Sequence, residues 1–206
     1  YVDSLSGATF MTTIKSVRRF FLFTLALSCF VWNALNTQVQ AAEKDNAKPA
    51  VGDEAKDFEL TTPAGKQVKL SDQLKQGPVV LLVLRGYPGY QCPLCTRQVG
   101  QFIANAAKLK EANASVLLVY PGAAQDLAKR ADEFIRDQSL PDNFHFLIDP
   151  DYKFTNAYNL RWDARRETAY PSTFVISKDG KIKFAKISMT HGGRADVKHV
   201  LKVLGE

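Results

Sequence analysis

Two unbroken apolar runs set most of what this chain can fold into. PVVLLVLRG (residues 78–86) and ASVLLVYPG (114–122) show no alternation of polar and apolar residues, so each reads as a strand covered on both faces. Between them, Cys95, Val99, Phe102, Ile103 and Ala106 recur at helical spacing, and after the second run Leu127, Ala131, Phe134 and Ile135 do the same. Strand, helix, strand, helix implies strands joined by crossover helices. FHFLIDP (144–150) reads as a shorter strand, followed by a modest helix through Tyr158. STFVISKDGKIKFAKI (172–187) carries an Asp179-Gly180 turn between two strands, a hairpin signal. Upstream, DFELTTPAGKQVKLSD (57–72) reads as two short strands around a turn at 63–66, and Val197, Val200, Leu201 and Leu204 mark a closing helix. The expected fold is α/β: a central mixed sheet with helices on both faces and an N-terminal hairpin.

The amino-terminal part reads as a targeting segment. Lys15, Arg18 and Arg19 form a positive lead-in to FFLFTLALSCFVW (20–32), which carries no charge, and NALNTQVQA follows. That is the layout of a secretory signal, with cleavage expected after Ala41, where Val39 and Ala41 occupy the small-residue positions. The alternative is an uncleaved anchor, although the run is short of the ~20 residues of a membrane span. ALSC before Phe30 resembles a lipoprotein box only loosely. Met11 is a better start than Tyr1, so residues 1–10 are expected to precede translation. The expected organisation is thus residues 1–41 removed, 42–50 a flexible tether and 51–206 the folded domain, periplasmic or secreted and without stable membrane insertion after cleavage. The net charge of +6 comes without a basic block or interleaved aromatics, which gives no case for nucleic acid.

In YPGYQCPLCTRQV (87–99) two cysteines three positions apart join the end of the first buried run to the start of a helix. Pro93 suits the first helical position. A thiolate there is stabilised by free backbone N–H groups and the helix dipole, which draw a cysteine from ~8.5 to ~3.5–7.5. Cys95 falls in line with Val99 and Phe102 and should lean toward the core, with Cys92 the more exposed. The oxidising compartment implied by export lets disulfides persist. A tetrahedral zinc site lacks two further ligands, since Cys29 lies in the removed segment and His145, His191 and His199 show no paired spacing. A purely structural disulfide is the other alternative, but so short a loop gains little as a constraint and is better suited to opening and closing.

From residue 51 to residue 204 the chain resembles the peroxiredoxin-like branch of the thioredoxin-fold superfamily, of alkyl hydroperoxide reductase and thiol-specific antioxidant type. VGDEAKDFELTTPAGKQVKLSD is similar to the opening of these domains, and FLIDPDYKFTNAYNLR to their later strand and helix. Such proteins place a proline seven residues before the peroxide-reacting cysteine and a hydroxyl residue three before it. Pro88 matches the first position relative to Cys95, whereas Cys92 occupies the second. The family's arginine three residues before the late-strand phenylalanine is replaced by Pro171 in YPSTF, which resembles the cis-proline loop of thioredoxins facing the CxxC pair.

The resemblance implies a thiol-dependent antioxidant enzyme without a cofactor, acting on peroxide and reset by an external dithiol reductant. In this version Cys95 attacks and Cys92 resolves. The alternative, thioredoxin-like exchange with a protein disulfide, reverses the two roles. A third reading is a copper-binding module using the thiolates with His191 or Met189. Arg85 and Arg97 are candidates, with Pro88 and Pro171, for positioning substrate, against the plainer reading of solvated arginines. Tyr87 and Tyr90 either shape the entrance or pack.

Overall fold

The computed structural model describes residues 47–205. The leader expected over 1–41 and the first part of the tether lie outside the described residues. In chain order the elements are β1 (Glu59–Thr61), β2 (Gln67–Lys69), α1 (Leu70–Gln76), β3 (Val79–Val83), α2 (Pro93–Ala104), α3 (Ala106–Glu111) and β4 (Ser115–Gly122). There follow α4 (Leu127–Ile135), β5 (Phe144–Pro150), α5 (Lys153–Ala157), β6 (Ser172–Ile176), β7 (Ile182–Ile187) and α6 (Val197–Leu204).

The seven strands form one sheet in the order β2-β1-β5-β4-β3-β6-β7. The central pairs β3–β4 and β4–β5 are parallel, and the flanking pairs are antiparallel. This is the mixed sheet that the apolar runs imply. Every residue of β3 and β4 is buried, and the period-two pleat sends alternate residues to opposite cores. Val80, Leu82, Val116 and Leu118 meet Val99 and Phe102 of α2, Ala131 and Phe134 of α4 and Val200 of α6. Val79, Leu81, Val83, Leu117 and Val119 meet Leu70 of α1 and Phe154 of α5. Each fully buried aliphatic or aromatic side chain contributes about 1.5–3 kcal/mol, so the two layers fix the central strands firmly.

The N-terminal hairpin forms as expected. Its turn is closed by the Thr62 N–H to Lys66 carbonyl and Gly65 N–H to Thr62 carbonyl bonds, both 2.9 Å. The helix after the cysteine pair is shorter than its spacing predicts. Asn105 leaves helical geometry at φ −110°, ψ 16° and bonds its side-chain amide back to the Gln101 carbonyl, so the apolar stripe continues as the separate α3.

Candidate active site

The end of β3 is built to a tight tolerance. The Leu84 N–H reaches the Val119 carbonyl at 2.9 Å, extending the pairing with β4 by a step. Gly86 then turns the chain at φ +69°, and a Cβ there would stand 1.8 Å from the Pro121 carbonyl oxygen, so only glycine fits. The following loop is pinned by Gln91, which donates to the Arg130 carbonyl at 2.9 Å and accepts the Tyr120 hydroxyl at 2.6 Å. Cys92 is the residue before α2, with extended backbone at φ −82°, ψ 112°, and Pro93 opens the helix. The Cys92 carbonyl accepts from the Cys95 and Thr96 amides at 3.0 and 3.1 Å.

The two sulfurs are unbridged in this structure. Cys95 is fully buried, whereas Cys92, expected to be the more exposed, is only 3% exposed. Cys95 Sγ accepts from the Arg85 backbone N–H at 3.3 Å. The Arg194 guanidinium spans the pair, its Nη2 3.4 Å from Cys95 Sγ and 3.7 Å from Cys92 Sγ. Arg194 is held in turn by Gln98 Oε1 at 2.9 Å and the His191 carbonyl at 3.2 Å. The hydrogen bond between the thiols acts oppositely on its two ends. It draws Cys92 down from 9.0 to about 5, against burial and assisted by the Cys95 and Leu94 amides and the Arg194 charge. The same bond, together with burial, pushes Cys95 well above the ordinary thiol value. The two directions favour Cys92 over Cys95 as the thiolate of the coupled pair.

Arg85 does not meet the pair as a free cation. It is 2% exposed, and its Nε and Nη2 bind Glu167 at 2.6 and 2.9 Å. Nη2 also donates to the Arg166 carbonyl at 2.7 Å, and Nη1 to the Tyr90 hydroxyl. Four of the five guanidinium donors are thus engaged and its charge is paired with a carboxylate, which corrects the expectation of a free cation beside the pair; only its backbone N–H is bonded to a sulfur. Burial alone would raise the Glu167 carboxyl, but hydrogen bonds from Arg85 and His191 hold it below the ordinary carboxylate value. His191 Nε2 lies 2.8 Å from Glu167 Oε1, its ring 5.3 Å from that of Trp162.

The other expected residues fall at varying distance from this centre. Pro88 lies half-buried in the loop before Cys92. Pro171 is buried, one position before the Val83↔Ser172 pair and so beside the end of β3. Its peptide bond is trans, since no described peptide is cis. This corrects the thioredoxin-like expectation: the chain enters β6 directly, with the Pro171 carbonyl taking the Ser188 N–H at 2.9 Å. Arg97 is exposed on α2. Tyr87 packs against the Arg130 guanidinium at 4.9 Å, and Tyr90 lies 5.0 Å from that of Arg85. Met189 is 55% exposed, and no group of three or more His, Cys, Asp or Glu residues among those described could hold a metal. Sequence reasoning missed Arg194, Glu167 and Gln98. The one local hint was the His-Gly-Gly-Arg turn ahead of α6, which suits a loop that brings a cation back to the sheet end.

A profile of the AhpC/TSA family matches residues 51–185. Peroxiredoxin Bcp of Bacillus subtilis (strain 168) is 28% identical over 138 residues, which cover 64% of this chain and 81% of that protein. The crystal structure of peroxidoxin BcpB from Mycobacterium tuberculosis is similar at a TM-score of 0.59 and 26% identity, over 75% of this chain and 96% of that one. A yeast mitochondrial 1-Cys peroxiredoxin shares the fold at a TM-score of 0.60 and 18% identity, over 76% of this chain and 75% of that one.

Proposed function

The chain belongs to the AhpC/TSA family, and on that premise we propose that it is an exported peroxidase working through the Cys92–Cys95 pair. The Cys92 thiolate attacks one peroxide oxygen and the O–O bond breaks. Two electrons pass from sulfur, Cys92 becomes a sulfenic acid, and the departing oxygen takes a proton to leave as alcohol or water. The Cys95 sulfur then attacks the sulfenic sulfur, releasing water and forming the disulfide. An external dithiol restores both thiols by exchange.

The observation that carries this reading is the single guanidinium of Arg194 spanning both sulfurs, with Cys92 drawn down to about 5. A fixed cation there stabilises the attacking thiolate and the charge growing on the departing oxygen. The assignment exchanges the roles that the family spacing suggests, because the proton sits on Cys95. The 3% exposure of Cys92 favours a small oxidant over the disulfide of a folded protein. Copper handling draws no support from His191, whose Nε2 is engaged by Glu167. Export rests on the positive lead-in and apolar run of residues 15–32. Amino-terminal sequencing of the protein recovered outside the cytoplasm should begin at Ala42.

The test is peroxide consumption with a supplied dithiol, run beside reduction of insulin disulfides. Turnover of peroxide that is lost in Cys92→Ser, with little insulin reduction, supports the peroxidase. The reverse pattern would establish protein disulfide exchange instead.

A further inference from the structure

Arg194 reaches the sulfurs from a turn with little of its own to hold it. Residues 189–193, between β7 and α6, are all exposed, and Gly192 and Gly193 stand side by side, the latter at φ +66°. Paired glycines leave a backbone many conformations. Most of the turn's hydrogen bonds are internal. The buried Ser188 hydroxyl lies between the Thr190 carbonyl, at 2.8 Å, and the Gly192 carbonyl, and the Thr190 hydroxyl also points to Gly192. Among the described residues, His191 is the one member of 189–193 whose side chain hydrogen-bonds outside the turn.

The partner it finds is rigid. Glu167 Oε1 lies 2.8 Å from His191 Nε2, and both Glu167 oxygens also bind Arg85 at 2.6 and 2.9 Å, in a pair whose side chains are 10% and 3% exposed. A carboxylate only accepts, so Nε2 carries the hydrogen whichever charge the ring bears. The Trp162 ring, stacked on Tyr170 at 4.9 Å, stands 5.3 Å from the imidazole. The carbonyl of the same His191 accepts from Arg194 Nε at 3.2 Å. One residue thus ties Glu167 to Arg194, and the path closes on the sulfurs. Arg85 begins it with its backbone N–H on Cys95 Sγ, and Arg194 ends it with Nη2 facing both thiols. Apart from this path, Arg194 is held by Gln98 alone, through Nη1.

We infer that His191 is a positioning residue: its imidazole, anchored on Glu167, fixes the turn from which Arg194 reaches Cys92 and Cys95. It acts through Arg194, whose long side chain otherwise has several rotamers to choose from. The inference rests on the peroxidase reading for its effect on oxidation, while its effect on the Cys92 thiolate needs no peroxide.

Two quantities test it on the whole protein: the pH midpoint of Cys92 alkylation by iodoacetamide, and the second-order rate of Cys92 oxidation by hydrogen peroxide. Each is measured for His191→Ala and His191→Gln, alone and combined with Arg194→Met. His191→Ala should raise the midpoint by about half a pH unit, a fraction of the effect of removing the charge itself. Oxidation should slow about 2- to 10-fold, the factor one net hydrogen bond sustains. Glutamine supplies an amide donor at similar reach, so His191→Gln should restore both. In the Arg194→Met background neither His191 change should matter, because nothing is left to place. His191 is exposed, so the variants keep their fold, and a normal thermal midpoint verifies this. An unchanged midpoint and rate in His191→Ala would overturn the inference and leave the peroxidase reading standing. Losses that persist in the Arg194→Met background, or that glutamine does not restore, would overturn it too. A midpoint shift confined to proteins that keep Arg194, with Cys92 inert to peroxide throughout, would sustain the positioning role and overturn the peroxidase reading alone.

Discussion

Replacing Arg194 by methionine removes a charge while keeping an unbranched side chain of similar reach, and its effect can be worked from the geometry. The guanidinium stands 3.7 Å from Cys92 Sγ. Unit charges about 4 Å apart interact by about 4 kcal/mol at an effective dielectric near 20. That is an upper bound, because Arg194 is half-buried and divides its donors among two sulfurs, Gln98 and the His191 carbonyl. Opposite charges at such range move a pKa by about 1–3 units, and sharing favours the lower half of that span. The Cys95 hydrogen bond, the largest cause of the depressed value, survives the substitution. Cys92 in Arg194→Met should therefore ionise about 1–2 units above its native value of about 5. At neutral pH this lowers the thiolate fraction by no more than about 2-fold. Loss of a preorganised donor at the developing oxyanion is far more costly, about 10²–10³ in rate. The assay pairs the pH dependence of thiolate absorbance or alkylation with the second-order rate of oxidation by hydrogen peroxide. An unchanged ionisation midpoint would refute the electrostatic argument. A rate that fell only in step with the thiolate fraction would refute the role of Arg194 at the oxidant.

Three further outcomes follow from the same structure. Glu167→Gln leaves the Arg85 guanidinium, 3% exposed, without its anionic partner, and denaturant unfolding should record a loss of about 3 kcal/mol. Gly86→Ala places a methyl group against the Pro121 carbonyl at a positive φ, so it should destabilise by at least about 3 kcal/mol and slow Cys92 alkylation by displacing the β3 end. Because the Cys92 thiol is depressed in the fold, its contribution is complete above the unfolded value of 9.0 and is lost as pH falls toward about 5. Cys95 is raised, so it acts in the opposite sense only above its unfolded value. Denaturant midpoints of the reduced protein should rise across that window, and Cys92→Ser should flatten the rise.

The parts of the fold that could be read in advance are those in which a local pattern carries the physics. The runs at 78–86 and 114–122 have no polar face to leave in water, so they had to lie at the centre of the sheet, and β3 and β4 do. The glycine that closes the first run marks a turn where the backbone of β4 leaves no room for a side chain. The cysteine spacing around Pro93 likewise fixed the helix start. What escaped was long-range side-chain pairing. Arg194 lies 102 positions from Cys92, and Glu167 lies 82 from Arg85. Nothing in the periodicity of either segment selects one arginine over another until the sheet brings residues 85, 167 and 194 to the same end. Arg85 illustrates the point: beside the pair in sequence, its guanidinium turns to a carboxylate that only the tertiary fold supplies.

The most direct measurement asks which sulfur takes oxygen. Each single Cys-to-Ser variant is treated with one equivalent of hydrogen peroxide in the presence of a sulfenate-trapping dione, and the adduct is located by mass spectrometry. With the thiolate at Cys92 and the proton on Cys95, Cys95→Ser should form a stable adduct at Cys92, while Cys92→Ser, which loses the Cys92 hydrogen bond that raises Cys95 but keeps its burial, should label more slowly. Rapid labelling of Cys95 in Cys92→Ser, with Cys92 inert in the other variant, would contradict the assignment of the attacking sulfur.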